Sequence, residues 1–396
     1  MDVFLFTNSY PYGKGETFLE NEIPILAKEF DKVHIFPWVI EGICRELPRN
    51  CVVHKGLFGQ TKGLKRILLF NIRVILSIVV RDVFSNENRR ALKNIKAYKE
   101  DILRFMFEAN CLKSFLNEID SSPGRIYYTY WFYTWTNLLS VIKNPKDKLI
   151  TRSHGFDFNL ERNGNGYFPF RPFTWSQIDV NYNVSNFGAN YLRKRYPKRQ
   201  NKIRVSYLGV KDQEVLSSIN GTNVVSCSNI IPLKRVHLIV EVLRSIKTPI
   251  HWIHIGDGIE KEKILDLCKT LPSNITYEFK GSITNIEILK FYSETSISAF
   301  VHLSESEGLP VSMMEAQSFG IPILACDVGG VSEIVNERTG ALIPKDFSVE
   351  STVQKLLAIM GFNKDRRKEI QLNQRNVFSA ENNYTSFEGE IKREIK

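Results

Sequence analysis

The chain has 396 residues, 43% of them hydrophobic and 24% charged, with a formal net charge of +10. That length favours two or three domains, and the composition excludes a disordered chain. Its six cysteines (44, 51, 111, 227, 268 and 326) are scattered without metal-type spacing, which argues against a disulfide framework or a structural zinc site and fits a reducing compartment.

The first residues, "MDVFLFTNSY", place an acid at position 2 before a short strand-like run. This makes a poor signal peptide, and a cytoplasmic location is expected. Strands are predicted over 3–8, 32–38, 125–131, 148–153, 179–185 and 203–208, then over 223–228, 250–255, 275–280, 297–303 and 322–326. Amphipathic helical patterns lie between them at 16–29, 235–247, 259–271, 285–295 and 348–361. Such alternation implies parallel sheets covered by helices on both faces. The polar stretch 209–222, "GVKDQEVLSSINGT", reads as a linker between two doubly wound domains, 1–208 and 223–378. The last segment, 379–396, is expected to form a helix packing back toward the first domain.

Charge divides along the same boundary. Residues 1–205 hold 32 Lys+Arg against 19 Asp+Glu, and the remainder 21 against 24. A basic first half points to an anionic partner: a phosphate-bearing substrate, a lipid surface or nucleic acid. Residues 61–104 interrupt the alternation with an apolar stretch carrying Lys65, Arg66, Arg73 and Arg81. Its uncharged run is far below the ~20 residues of a spanning helix. A basic amphipathic helix on an anionic membrane and a buried helix with arginines at its rim both fit.

The most informative stretch is 304–320, "SESEGLPVSMMEAQSFG". Pro310 suits a first helical residue, so a helix is predicted over 310–319 at the carboxyl end of a buried strand. Free amides at its N-terminus, with Gly308 allowing close approach, make a site for phosphate. Glu315 follows Val311 by four residues on an inward stripe with Met314 and Ser318, where a carboxylate needs hydrogen-bond donors such as sugar hydroxyls. Glu307, nearer the opening, is placed to bind a second sugar. The plainer reading has Glu307 capping the helix and Glu315 paired with a lysine.

Residues 297–346 resemble the signature of glycosyltransferase family 4, retaining enzymes of GT-B architecture with two Rossmann-like domains facing across a cleft. The likeness runs through the Glu307–Glu315 pair, Gly308-Leu309-Pro310, Gly320-Ile321-Pro322, Gly329-Gly330 with Glu333, and Gly340. Residues 151–171, "TRSHGFDFNLERNGNGYFPFR", also resemble transferases of bacterial surface-polysaccharide assembly. The family 4 likeness implies that Glu315 binds the nucleotide ribose, that Glu307 contacts the donor sugar, and that the Gly308, Leu309 and Pro310 turn meets the diphosphate. Within "VVSCSNIIPLKRV", Lys234 matches the phosphate-binding lysine. Asn229 stands where the family has arginine, and Arg235 where it prefers glycine. Gly256 in "HIGDGIEKEK" matches the glycine turn after the second strand, and Ile283 the position that holds the base or an ordinary strand-end turn.

In the first domain, Gly13 and Gly15 match the glycine loop that approaches donor phosphate or acceptor. The loop is not a P-loop, since no Ser or Thr follows its lysine. His154 matches the active-site histidine, with Asp157 beside it. Arg152 and Arg171 are candidates for acceptor phosphate or for structural pairs.

The resemblance implies transfer of a sugar from a UDP- or GDP-sugar, with retention, to a hydroxyl of a glycan acceptor, lipid-linked in this reading. His154, Glu307 and Lys234 serve catalysis. No cofactor is expected, and no metal, because Asp-x-Asp does not occur at a strand end. The competing readings are a polyanion- or nucleic-acid-binding protein using the basic half, with no recognition motif behind it, and a catalytically silent partner subunit.

Overall fold

The computed structural model describes every residue except 14, 56–71, 85–94, 121–123, 164–166, 220 and 396. The chain divides into two compact units, Met1–Ser206 with Tyr384–Lys396, and Tyr207–Asn383.

The first unit contains β1 (Val3–Thr7), α1 (Leu19–Glu29), β2 (Val33–Pro37), β3 (Cys51–Val53), α2 (Ile72–Val83), α3 (Ile95–Ile119), β4 (Ile126–Thr129), α4 (Thr134–Ile142), β5 (Lys148–Ser153), α5 (Arg171–Gln177), β6 (Val180–Asn183), α6 (Asn186–Arg195) and β7 (Ile203–Val205). Its seven strands pair in parallel in the order β3-β2-β1-β4-β5-β6-β7. The order reverses between β1 and β4. In doubly wound sheets that reversal opens a crevice at the carboxyl ends of the strands. All five residues of β1 and of β2 are buried, as a central strand covered on both faces requires.

The second unit contains β8 (Asn223–Cys227), α7 (Val236–Arg244), β9 (Ile250–Ile255), α8 (Lys261–Cys268), β10 (Ile275–Gly281), α9 (Asn285–Glu294), β11 (Ala299–His302), α10 (Val311–Ser318), β12 (Ile323–Cys326), β13 (Gly340–Ile343), α11 (Val349–Met360) and α12 (Lys364–Phe378). Its six-stranded parallel sheet runs β10-β9-β8-β11-β12-β13, reversing between β8 and β11. The helix α13 (Ala380–Ile395) closes the chain, and from Tyr384 it belongs to the first unit. There Phe387 and Ile391 join the core under β1 and β2.

Most predicted strands appear within a residue or two. The short edge strands β3 and β13 do not stand out in the sequence, because three or four residues next to turns carry too little alternation to register. The stretch 209–222 is not a free linker. Val210 bridges to Ser379, Ser217 N–H donates to the Phe319 carbonyl, and its hydroxyl donates to that of Thr295, all within the second unit.

Two buried arginines take structural partners rather than facing a ligand. Arg152 donates to Glu22 Oε2 at 2.9 Å, both fully buried, and to Ser206, with its guanidinium 4.0 Å from the Phe387 ring. Arg171 donates to the carbonyls of Phe132 and Asp157 and stacks 3.7 Å from Phe132. Of the stretch 61–104, residues 61–71 with Lys65 and Arg66, and residues 85–94, lie outside the described residues. Within α2, Ile78 enters the first unit's core, while Leu76 and Val80, with Phe84 just beyond, are at least half exposed. Among the described residues, no helix is long and apolar enough to cross a membrane.

Candidate functional site

In the second unit, the turns following β8 and β11 flank the point where the strand order reverses. Pro232–Lys234 forms a short 3-10 turn after β8, and residues 303–310 lead from β11 into α10. Pro310 is the cap rather than the first helical residue, and α10 begins at Val311. Its first two residues are half-buried, whereas Met313 through Ser318 are buried all round. The expected inward stripe is therefore a helix enclosed on every side, with half-burial confined to its first two residues.

Lys234 and Glu307 are brought together: Nζ lies 2.6 Å from Oε1. The same oxygen lies 2.7 Å from His302 Nε2, and Ser304 Oγ is 2.7 Å from that nitrogen. Burial by itself would raise the Glu307 carboxyl. The charge of Lys234 and the His302 hydrogen bond outweigh it and hold the group below the usual carboxylate range. Burial lowers His302, which stays neutral and donates from Nε2. Glu307 thus does not cap α10; it pairs with the lysine predicted for phosphate. An ammonium has three donors, so Lys234 can keep Glu307 and still meet an anion. Both contacts fall on Oε1, leaving Oε2 as the oxygen to receive a hydroxyl.

The backbone of this turn rests on Gly329. A Cβ there would come 1.9 Å from the Glu307 carbonyl oxygen, and its φ of +61° suits glycine. Gly330 N–H donates to the Gly308 carbonyl at 2.9 Å, so the Gly-Gly pair forms the seat of the Glu307-Gly308-Leu309 turn. Glu333 accepts from the Tyr207 hydroxyl at 2.8 Å.

Glu315 is 7% exposed and accepts from Asn285 Nδ2 at 2.6 Å. It also acts on Cys227, at the end of β8, whose thiol is pushed up to about 12 by burial and then by this carboxylate. Ile283, half-buried two residues before Asn285, therefore lies in sequence beside the partner of Glu315.

Arg235 and Gly256 serve the scaffold. Arg235 adopts a left-handed φ of +47°, the physical reason a glycine suits this position. Its guanidinium donates to the carbonyls of Leu303, Lys345 and Ser304, so it clamps the β11 turn instead of presenting a free cation to donor phosphate. A Cβ on Gly256 would meet the Ser228 carbonyl oxygen at 2.0 Å, so this glycine lets β9 pack under the turn after β8. Asn229, in that turn, is exposed. His254 supports the turn from below, with Nδ1 2.8 Å from Ser226 Oγ and Nε2 3.1 Å from the Ser228 carbonyl. Burial lowers His254 to about 4.

In the first unit, His154 follows β5, and Nε2 donates to the Tyr130 carbonyl at 2.9 Å. A carbonyl can only accept, so Nδ1 carries the lone pair. Burial, and then the charge of Arg152, hold the imidazole well below its ordinary range, so it is neutral. Asp157 does not face a ligand. Its carboxylate accepts from the backbone amides of Phe132, His154 and Gly155 at 2.8–3.0 Å and fixes the His154 turn. Gly13 and Gly15 are exposed, and their carbonyls accept from Arg45 at 2.7 Å. The amides at the end of β1 are filled from within the loop: Glu16 accepts from the N–H groups of Asn8, Ser9 and Tyr10. Those three donors are thus unavailable to a phosphate.

His302, Ser304, Asn285 and Glu16 escape sequence reasoning. A histidine in "FVHLSESEG", at a strand end five residues before Glu307, was a legible signal for the first. The others depend on long-range contacts.

Residues 212–376 match the family model described as "Glycosyl transferases group 1". The chain is 24% identical over 238 residues to the putative colanic acid biosynthesis glycosyltransferase WcaL of Escherichia coli (strain K12), covering 56% of this chain and 57% of that protein. It spans about half the length of the curated relatives it matches. Among solved structures it resembles the apo form of the lipopolysaccharide outer core galactosyltransferase WaaB, with TM-score 0.66, 15% identity and 99% of each chain covered. Anabaena Alr3699/HepE in complex with UDP gives TM-score 0.63 and 14% identity over 99% of this chain and 100% of that one. The fold is GT-B, with two doubly wound α/β units.

Proposed function

We propose that the protein is a glycosyltransferase that moves a sugar from a nucleotide diphosphate sugar to a glycan hydroxyl in cell-surface polysaccharide synthesis. The observation that carries this reading is the convergence of Lys234, Glu307 and the half-buried first turn of α10 where the second sheet reverses. The matched family segment and relatives such as WcaL support it. HepE was solved with UDP, which favours a uridine donor over a guanosine one.

In this reading the diphosphate lies between Lys234 and the first amides of α10, and Glu315 with Asn285 holds the ribose. Glu307 Oε2 accepts a hydroxyl of the transferred sugar, with Ile283 beside the base. As the sugar–phosphate bond breaks, charge grows on the leaving phosphate, and Lys234 stabilises it without rearrangement. That phosphate then takes the acceptor's proton, and attack on the same face retains the anomeric configuration. His154 is neutral with a free Nδ1 lone pair, so it accepts a sugar hydroxyl rather than carrying a proton. Lys234 and the helix amides supply the positive charge a metal would otherwise provide, so turnover is proposed to persist in EDTA.

A lipid-linked acceptor, reached at the inner face of an anionic membrane, belongs to the same proposal. Exposed Leu76, Val80 and Phe84 beside exposed Arg81 suit such a surface. Flotation with anionic but not neutral vesicles tests it. The enzymatic reading is tested by incubating the protein with UDP-, GDP- and ADP-sugars and measuring donor hydrolysis. Absence of hydrolysis together with absence of nucleotide binding would reject it.

A further inference from the structure

His302 ends β11 and is 5% exposed. Its ring lies nearly parallel to that of Phe300, two residues earlier on the same face of the strand, with planes at 13° and centroids 6.3 Å apart. The Nε2 edge meets the turn that follows, 2.7 Å from Glu307 Oε1 and 2.7 Å from Ser304 Oγ. A carboxylate can only accept, so Nε2 carries the proton, and the buried Ser304 hydroxyl oxygen lies beside it as a second acceptor.

Glu307 Oε1 thus has two donors of different kinds. Lys234 is a charged ammonium, one-fifth exposed, whose three donors rotate on a flexible stem. The His302 side chain is 4% exposed, and burial keeps it neutral. Its single N–H points along a line fixed by the ring, so it sets the direction of the carboxylate as well as its position.

The two donors respond differently to an incoming anion. A diphosphate at Lys234 competes with Glu307 for the ammonium, because both are anions and the lysine side chain reaches water. His302 carries no charge for an anion to attract, and its N–H is already taken within the protein. When the lysine turns toward phosphate, His302 is the donor that still holds Oε1.

We infer that His302 is a positioning residue: it keeps the Glu307 carboxylate in one orientation while Lys234 serves the donor phosphate, and so fixes which hydroxyl of the transferred sugar Oε2 can accept. Oε2 takes no hydrogen bond among the described residues, so what orients it is the pair of donors on Oε1. The inference rests on the proposed sugar-transfer reading and extends it to what selects the sugar.

Calorimetry on the full chain with UDP, GDP and their sugar derivatives tests it, each variant being read by the ratio of nucleotide-sugar to free-nucleotide affinity. Glu307 meets the sugar and not the nucleotide in this reading. His302→Leu should therefore lower the ratio about tenfold for the best-bound donor and leave the nucleotide affinity itself unchanged. His302→Gln, whose amide can place a donor near the same point, should recover most of the loss. In a Glu307→Ala background, His302→Leu should lower the ratio no further, since the histidine acts through that carboxylate. An unchanged ratio in His302→Leu, a fall in its nucleotide affinity, no recovery in His302→Gln, or an added loss in the Glu307→Ala background would each overturn the inference. Wild-type protein that binds no nucleotide sugar removes the sugar-transfer reading and the inference with it. Wild-type binding with an unaltered ratio in His302→Leu removes only the inference.

Discussion

Lys234 Nζ and Glu307 Oε1 stand 2.6 Å apart, joining the turn after β8 to the turn after β11 across the reversal point of the second sheet. The lysine is about one-fifth exposed and the glutamate nearly buried, so the pair is asymmetric: water can replace Glu307 for the lysine, but nothing can replace Lys234 for the glutamate.

Lys234→Met should therefore cost about 2–4 kcal/mol at neutral pH, since it leaves a buried carboxylate with only His302. The Glu307 carboxyl is depressed, so its contribution is present above the unfolded value of ~4.3 and is lost as pH falls through the lower folded value. In the variant the lysine's charge no longer opposes burial, and only the His302 hydrogen bond still favours the ionised carboxyl. Urea unfolding across pH should show the largest gap between wild type and variant near pH 7, narrowing in acid. Coincident curves at pH 7 would show that the pair contributes nothing.

Glu315→Ala removes the acceptor that Asn285 and, in the proposed complex, the ribose hydroxyls share. Hydrogen bonds to a charged group contribute ~1.5–3 kcal/mol each. UDP affinity by calorimetry should fall roughly ten- to hundredfold. Unchanged affinity would remove Glu315 from the nucleotide site.

The pH behaviour of His154 follows from its burial. An unfolded histidine titrates near ~6.5, and the folded one well below that. The unfolded state therefore binds the extra proton, and stability falls as pH drops below ~6.5, by up to ~1.4 kcal/mol per pH unit. His154→Gln should show a shallower slope of unfolding free energy between pH 5 and 6.5, by as much as one proton. The same slope in both proteins would mean that the imidazole is protonated in the native state.

Gly329→Ala tests the seat of the turn. With a Cβ 1.9 Å from the Glu307 carbonyl oxygen and φ at +61°, the substitution must displace residues 307–308. A loss of about 2–4 kcal/mol and weaker UDP binding are expected. Thermal unfolding and calorimetry report the two separately, and wild-type values for both would remove the seat.

Much of this was legible along the chain. A run such as "VFLFT" announced a strand because burial between helical layers demands continuous apolar sequence, and the 304–320 stretch pointed to the candidate site through Glu307 and Gly308 in the turn before α10 and Glu315 within it. The partners were not legible. Glu307 meets Lys234 from 73 residues away and Glu16 meets Trp131 from 115, and no local pattern encodes which donors a folded sheet will bring to a carboxylate. For the same reason Arg235 and Asp157 looked like ligand-binding groups, and Arg152 and Arg171 could not be sorted between acceptor phosphate and structural pairs, while all four are held by partners within the protein.

The sequence by itself determined the alternation of strands and helices and the positions of the acids and glycines, because these follow from periodicity and backbone freedom over a few residues. Only the tertiary structure decided which charges face inward and which remain open to a ligand. That choice is made by parallel pairing, which sets strands distant in sequence side by side at the point where the order of each sheet reverses.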